Sequence, residues 1–298
     1  MAHLAPKGAL TALVTPFTSD AESVDHAAYE ALVEAQIAGG IAGLVPCGTT
    51  GETPTLSETE QLDVIRRTVA VAKGRVPVFA GTGSFSTKKT IEASRRAIEA
   101  GATGVMVVMP YYSKPTQDGL FEHVRAVASA VDAPVVLYNI PARSSVDLAV
   151  DTTCRIVDAC PNVVATKEAT GNVLRCQELK RVLGDRLTVL SGDDGLTIAM
   201  MATGADGVIS VTSNAFPREV SQVVTTFAAG RAREALALHQ RLLPVHEAMF
   251  IEANPGPVKA VLAARRVMND TVRLPLVAVG DATRAKLSEV IARFEASK

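Results

Sequence analysis

Lys167 closes the apolar run Val163-Val164-Ala165-Thr166, a place where an ammonium loses much of its water. Desolvation and neighbouring dipoles lower the pKa of an amine. A neutral lysine is a nucleophile that forms a Schiff base with a ketone or aldehyde and turns it into an electron sink. The structural alternative is a strand-end lysine paired with its neighbour Glu168 and facing water. Gly48-Thr49-Thr50-Gly51-Glu52 raises a second possibility. Two hydroxyls between two glycines, ahead of a helix, can offer backbone N–H groups and threonine side chains to a carboxylate; the alternative is a plain glycine-rich turn. Three of the four tyrosines fall in Tyr111-Tyr112 and Tyr138-Asn139-Ile140-Pro141. A phenol near a Schiff-base lysine can shuttle protons, although tyrosines also pack at rims and interfaces. Arg143 adds a cation suited to bidentate carboxylate binding.

Other chemistries find less support. No Gly-Lys-Ser/Thr follows the glycine-rich turn, and Gly81-Thr82-Gly83 lacks the third glycine of a dinucleotide fingerprint. Cys47, Cys154, Cys160 and Cys176 form no C-x-x-C pair, and His3, His26, His123, His239 and His246 are scattered, so neither a metal site nor a disulfide framework is expected. Met106 and Met109 read as ordinary packing. The formal net charge of -1, without a Lys/Arg-rich run, argues against nucleic acid or an anionic membrane as the main partner. Residues 1–7 lack the apolar region of a signal peptide and no apolar stretch reaches bilayer length, so the chain reads as cytosolic.

The elements that must position these residues follow from the apolar pattern. The 298 residues, 48% hydrophobic and 20% charged, supply an ample core. Short β-branched runs at 9–17, 43–47, 76–81, 104–109, 134–140, 163–167, 187–191 and 207–211 alternate with amphipathic segments. Asp25 is placed to cap a helix burying Tyr29, Leu32, Val33 and Ile37, ended by Gly39-Gly40. Ser57 and Glu60 form a capping-box pattern before the stripe Leu62, Ile65, Val69 and Ala72. Eight βα repeats predict an α/β fold, a (β/α)8 TIM barrel, whose active site lies at the C-terminal ends of the strands. Residues 1–216 hold the strands and most barrel helices. Residues 217–298 hold the last barrel helix and a C-terminal helical extension, with helices expected at 231–247, 257–268 and 282–296.

The glycine-threonine turn, Tyr111-Tyr112, Tyr138-Asn139-Ile140-Pro141, Lys167-Glu168-Ala169-Thr170-Gly171, Ser191-Gly192-Asp193-Asp194 and Gly207-Val208-Ile209-Ser210 run in order across nearly the whole chain. Together they resemble the dihydrodipicolinate synthase family, within the pyruvate-dependent class I lyases and aldolases that include N-acetylneuraminate lyase. The resemblance implies a lyase of lysine (diaminopimelate) biosynthesis in which Lys167 forms a Schiff base with pyruvate, whose enamine attacks L-aspartate 4-semialdehyde before cyclisation. It implies no cofactor beyond that covalent adduct, and no metal. By the same carry-over Tyr138 is the proton-transferring phenol, and Thr49 and Tyr112 complete a hydroxyl relay. Thr50 and Ile209 contact pyruvate, Gly192 joins the substrate-binding residues, and Arg143 binds the carboxylate of the semialdehyde. The assembly implied is a homotetramer, a dimer of dimers, with Tyr112 shared across the tight dimer. Ser144-Ser145 replaces the more usual Thr-Gly of the family and bears on the loop around Arg143.

Two competing readings remain: a related lyase acting on another 2-keto acid, and a catalytically silent barrel used for binding. Many members of the family are inhibited by L-lysine at a site lined by segments that here span 53–61 and 84–89. Where inhibited members carry histidine or glutamate, asparagine and glutamate, this chain has Gln61, Phe85 and Lys89. Lys89 in place of a carboxylate that binds one of the two ammonium groups of lysine turns attraction into like-charge repulsion, and little or no feedback inhibition is expected.

Overall fold

Eight parallel strands form one sheet in the order β2-β1-β8-β7-β6-β5-β4-β3 in the computed structural model, which describes residues 3–297. Met1, Ala2 and Lys298 lie outside the described residues. The strands are β1 Gly8–Ala12, β2 Gly43–Val45, β3 Phe79–Gly81, β4 Gly104–Val108, β5 Val135–Asn139, β6 Val163–Glu168, β7 Thr188–Ser191 and β8 Gly207–Ser210. A parallel bridge between Leu44 and Val78 joins β2 to β3 and closes the (β/α)8 barrel.

Several strands are shorter than the apolar runs suggested. The first run reaches Phe17, but β1 ends at Ala12: Leu13 N still donates to Val45 O at 3.0 Å, and beyond it Val14 N donates instead to the Asn214 side chain at 3.1 Å. Pro77, which has no N–H to donate, keeps 76–78 out of β3, although its carbonyl still accepts from Leu44 N at 2.9 Å. β2 stops before Cys47, whose φ of 57° leaves the extended region.

Around the barrel lie α1 His26–Ala38, α2 Glu58–Ala72, α3 Thr87–Glu99, α4 Gln117–Ala128, α5 Pro141–Ser144, α6 Val150–Ala159, α7 Val173–Leu183, α8 Thr197–Ala202 and α9 Pro217–Ala228. Asp25 caps α1 by accepting from Ala28 N at 3.0 Å, and Ser57 and Glu60 close a reciprocal capping box on α2. On α2 the buried face is Val64, Ile65, Thr68 and Ala72, turned from the expected stripe. Thr68 earns its place inside by hydrogen-bonding the Tyr29 hydroxyl at 2.7 Å, which leaves Leu62 and Val69 only partly covered.

Beyond α9 come α10 Ala232–Ala248, α11 Gly256–Ala264 and α12 Asp281–Ala296. α11 ends four residues before the expected 268, where Arg266 adopts φ 57°. Leu242, Val245, Val258, Val261, Leu287 and Val290 of these helices belong to the same buried cluster as the outward faces of the strands, so the extension packs on the barrel. A second cluster fills the barrel interior with Leu10, Val45, Phe79, Val136, Leu190 and Ile209, and Tyr138 sits at its upper edge.

Candidate active site

Strand parity aims Lys167 and Glu168 in opposite directions. Tyr138 and Lys167 are register partners on β5 and β6, and both are buried, at 4% and 5% exposure. The Lys167 amine lies 4.3 Å from the centroid of the Tyr138 ring. Glu168, one residue on, pairs in register with Asn139 on the outer face, where its carboxylate accepts from Asn139 Nδ2 at 3.2 Å and Thr170 N at 2.9 Å. Burial raises the Glu168 pKa against those hydrogen bonds. Among the described residues no carboxylate lies within ion-pair distance of Lys167, so the structural alternative of a Lys167–Glu168 pair is not what the chain adopts. An amine inside the barrel, beside a phenol and away from any counter-ion, is placed to act on a carbonyl.

The Gly48–Glu52 turn rises from β2 beside this pair. Gly51 N and Glu52 N close it on the carbonyls of Gly48 and Thr49, both at 3.1 Å. Cys47 and Glu52 flank it at φ 57° and 54°, a left-handed conformation that is uncommon outside glycine. Gly81 permits the close approach on β3: a Cβ there would stand 2.1 Å from the Cys47 carbonyl oxygen. Thr49 lines an open cavity of about 450 Å³ together with Tyr138, Arg143, Tyr111, Gln61, Phe85 and Lys89. Met106 also lines it, which its packing role alone did not foretell. Thr50 turns inward, buried, and its Oγ1 accepts from Asn254 Nδ2 at 3.0 Å.

Arg143 sits on α5, exposed and without an ion-pair partner among the described residues, at the mouth of the same cavity. Its loop is held by Ser144, whose hydroxyl lies 2.9 Å from the carbonyls of both Ile140 and Val146. Ser145 follows at φ 58°. Tyr111 packs edge-on against Phe85 with centroids 5.6 Å apart. Tyr112 behaves differently: at φ 71° it projects away and is 92% exposed, so the structure does not bring it to the site of its own chain. Gly192 N donates to Glu168 O at 2.8 Å, and a Cβ at Gly192 would lie 2.5 Å from that of Ala169, so only glycine lets β7 end so close to β6. Ile209 is inside the barrel in the Tyr138 cluster. The backbone after it is fixed by Asp194, which accepts from the Ser210 hydroxyl and from Val211 N and Thr212 N at 2.8 and 3.1 Å. Neither Gly192 nor Ile209 lines the open cavity.

Sequence reasoning missed the supports that arrive from the extension. Lys259 is fully buried, 2.5 Å from Glu52, with its amine donating to Thr271 O at 2.8 Å and lying 4.3 Å from the Phe17 ring. Burial lowers its pKa to about 8, opposed by Glu52. Arg273 N donates to Glu52 at 3.1 Å, while its guanidinium bonds Glu60 and the carbonyls of Ala21, Glu22 and Thr55. The clue was available: Pro257-Val258-Lys259-Ala260-Val261-Leu262 sets a lysine in an apolar run just as the Lys167 segment does. No comparable mark singles out Asn254.

The chain matches the model of the dihydrodipicolinate synthetase family over residues 5–294. It is 65% identical to the 4-hydroxy-tetrahydrodipicolinate synthase of Sorangium cellulosum, over 100% of this chain and 99% of that one. Among solved structures, the 4-hydroxy-tetrahydrodipicolinate synthase of the methanotroph Methylacidiphilum fumariolicum superposes with a TM-score of 0.95 at 43% identity, covering 97% of this chain and 96% of that one. The enzyme of Cyanidioschyzon merolae with lysine bound gives a TM-score of 0.95 at 34% identity, covering 97% and 98%.

Proposed function

The chain belongs to the dihydrodipicolinate synthetase family, and on that premise we propose that it condenses pyruvate with L-aspartate 4-semialdehyde, as a class I aldolase-type lyase of lysine and diaminopimelate biosynthesis. The observation that carries this reading is the buried Lys167, free of any carboxylate among the described residues and set against Tyr138. Its amine adds to C2 of pyruvate, water leaves, and an imine forms. Loss of a C3 proton gives the enamine, whose C3 bonds to the aldehyde carbon while the aldehyde oxygen takes a proton. The amino group of the semialdehyde then adds to C2, releases Lys167 and closes the ring. Tyr138 carries the protons, in relay with Thr49 and with Tyr112 of the partner subunit. Thr50 and Ile209 contact the pyruvate, Gly192 borders it, and Arg143 holds the carboxylate of the semialdehyde.

Borohydride reduction in the presence of pyruvate tests the lysine. The wild-type protein gains the mass of a reduced pyruvyl adduct and Lys167→Ala gains none; trapping at the wild-type rate in the variant would assign the nucleophile to another lysine. A coupled assay with the semialdehyde and the reductase that consumes the product separates this function from a lyase of another 2-keto acid, and a protein that traps nothing is the silent barrel.

The exposed Tyr112 supports a homotetramer built from dimers that share this residue. The four free cysteines fit a reducing cytoplasm. Weak or absent feedback by L-lysine completes the proposal. Gln61 Nε2 is taken up by the carbonyls of Thr53 and Leu56, at 3.3 and 3.1 Å. The one carboxylate lining the cavity, Glu58, is already paired with Arg96 at 2.8 Å, while Lys89 and Arg143 add positive charge. A ligand with two ammonium groups meets repulsion there. Millimolar lysine titrated into the coupled assay is expected to leave the rate unchanged; inhibition matched by calorimetric binding would refute this.

A further inference from the structure

Thr50 Oγ1 accepts a hydrogen bond from Asn254 Nδ2 at 3.0 Å, and both residues are buried. Among the described residues nothing accepts the proton of the Thr50 hydroxyl. A hydroxyl has one proton to donate, and a donor fixed on its oxygen turns that proton away from the donor. We infer that Asn254 is a positioning residue: by donating to Thr50 it orients the Thr50 hydroxyl as a donor to the carboxylate of the bound keto acid. This role rests on Thr50 contacting that carboxylate, as proposed above.

The surroundings support a fixed contact. Glu52, two residues beyond Thr50, is tied to Lys259 and Arg273, so the turn and the segment carrying Asn254 are clamped together on both sides. Thr15 Oγ1 donates to Gly51 O at 2.8 Å, leaving the turn little freedom. The Asn254 carbonyl oxygen is buried with no protein partner, so this amide is held at the site by its bond to Thr50 and by packing, not by a saturated network. A buried polar atom left without a partner is costly, and here it belongs to the same amide that donates to Thr50.

The test is a double-mutant cycle on the full-length protein, with pyruvate half-saturation read both by borohydride trapping and by the coupled assay. Thr50→Val removes the hydroxyl, and Asn254→Ala removes the residue that orients it. Each is expected to raise pyruvate half-saturation about tenfold with kcat changed less than about twofold and the aldehyde KM unchanged. The double variant is expected to match Thr50→Val, because an absent hydroxyl cannot be oriented. Asn254→Asp keeps the size of the side chain but accepts the Thr50 proton and adds negative charge, so it is expected to weaken pyruvate at least as much as alanine does; it also serves if the alanine variant fails to fold. If Thr50→Val alone leaves pyruvate half-saturation unchanged, the reading of Thr50 is wrong and this role falls with it. If Thr50→Val weakens pyruvate but the Asn254 variants do not, or if the two effects multiply, Thr50 keeps its assignment and Asn254 is only a structural residue.

Discussion

An ammonium taken out of water must find an anion or oxygen ligands, or else stand available for reaction. Lys259 takes the first course, with Glu52 at 2.5 Å and Thr271 O at 2.8 Å, and its amine serves structure. Lys167, also buried, has the face of Tyr138 and, among the described residues, no carboxylate. The other buried titratable groups make the native state sensitive to acid. His123 and His246 are kept neutral by burial, each lowered from 6.5 to about 4, and His239, its ring centroid 5.4 Å from that of His246, is lowered for the same reason. Asp194 opposes the shift of His246, but desolvation outweighs it. At these three histidines the unfolded chain binds more protons than the folded one between 6.5 and 4, so their share of stability falls as pH drops through that window, opposed by Glu168 and Asp193, whose carboxyls burial raises. Glu60, held at about 2 chiefly by Arg273, adds a further loss below 4.5. Denaturant midpoints measured from pH 7 to 4 should decline progressively; a flat profile would mean that the histidines gain partners on protonation. The sequence marked Lys167 because an apolar run ending in a cation is a local signal. It did not separate Lys167 from Lys259, since what distinguishes them is the carboxylate each meets, and Glu52 lies far from Lys259 along the chain.

At the level of elements, β5 and the short helix α5 carry Tyr138 and Arg143 within one continuous stretch that closes at the end of α5. It ends on Ser145 in the left-handed region, where a side chain costs about 1–2 kcal/mol and glycine costs little. The serine at 144 answers the question raised by the unusual pair, since its hydroxyl bridges Ile140 and Val146 and holds the loop. Ser145→Gly should accordingly stabilise the protein by about 1 kcal/mol, the relief of strain being partly offset by the greater freedom of glycine when unfolded. Chemical denaturation checks this, and a destabilised variant would show that Ser145 makes a favourable contact in the assembled protein. The eight strands and their order around the barrel were readable, because apolar runs and βα spacing are local and the hand of the connections is fixed. Strand ends were not, as Pro77 shows: proline interrupts a ladder without interrupting hydrophobicity. The face of α2 was missed for a related reason, since Thr68 reads as polar until the Tyr29 hydroxyl is placed against it.

For the molecule as a whole, Tyr112 is exposed while Thr49 lines the cavity, and the relay proposed above joins them across two chains. Tyr112→Phe should lower turnover. In mixed dimers of Tyr112→Phe with Lys167→Ala, some sites would carry both defects and some neither, so activity should exceed that of either variant alone. Its absence in preparations shown to contain mixed dimers would return Tyr112 to its own subunit or remove it from catalysis. Within one chain, the extension was legible as helices but not as the support of the turn at Thr49 and Thr50, because periodicity reports which face is buried and not what it is buried against. That support spans nearly the entire chain: Arg273 and Glu52 are 221 positions apart. A ribosome adding roughly 5–20 residues per second separates their synthesis by on the order of ten to forty seconds. For that interval the turn has nothing from Arg273 to hold it, and Lys167 is made about half-way through. The nascent chain thus holds Lys167 before the residues that clamp the Gly48–Glu52 turn, and if Lys167 and that turn act as proposed, capture of substrate waits until translation is nearly complete.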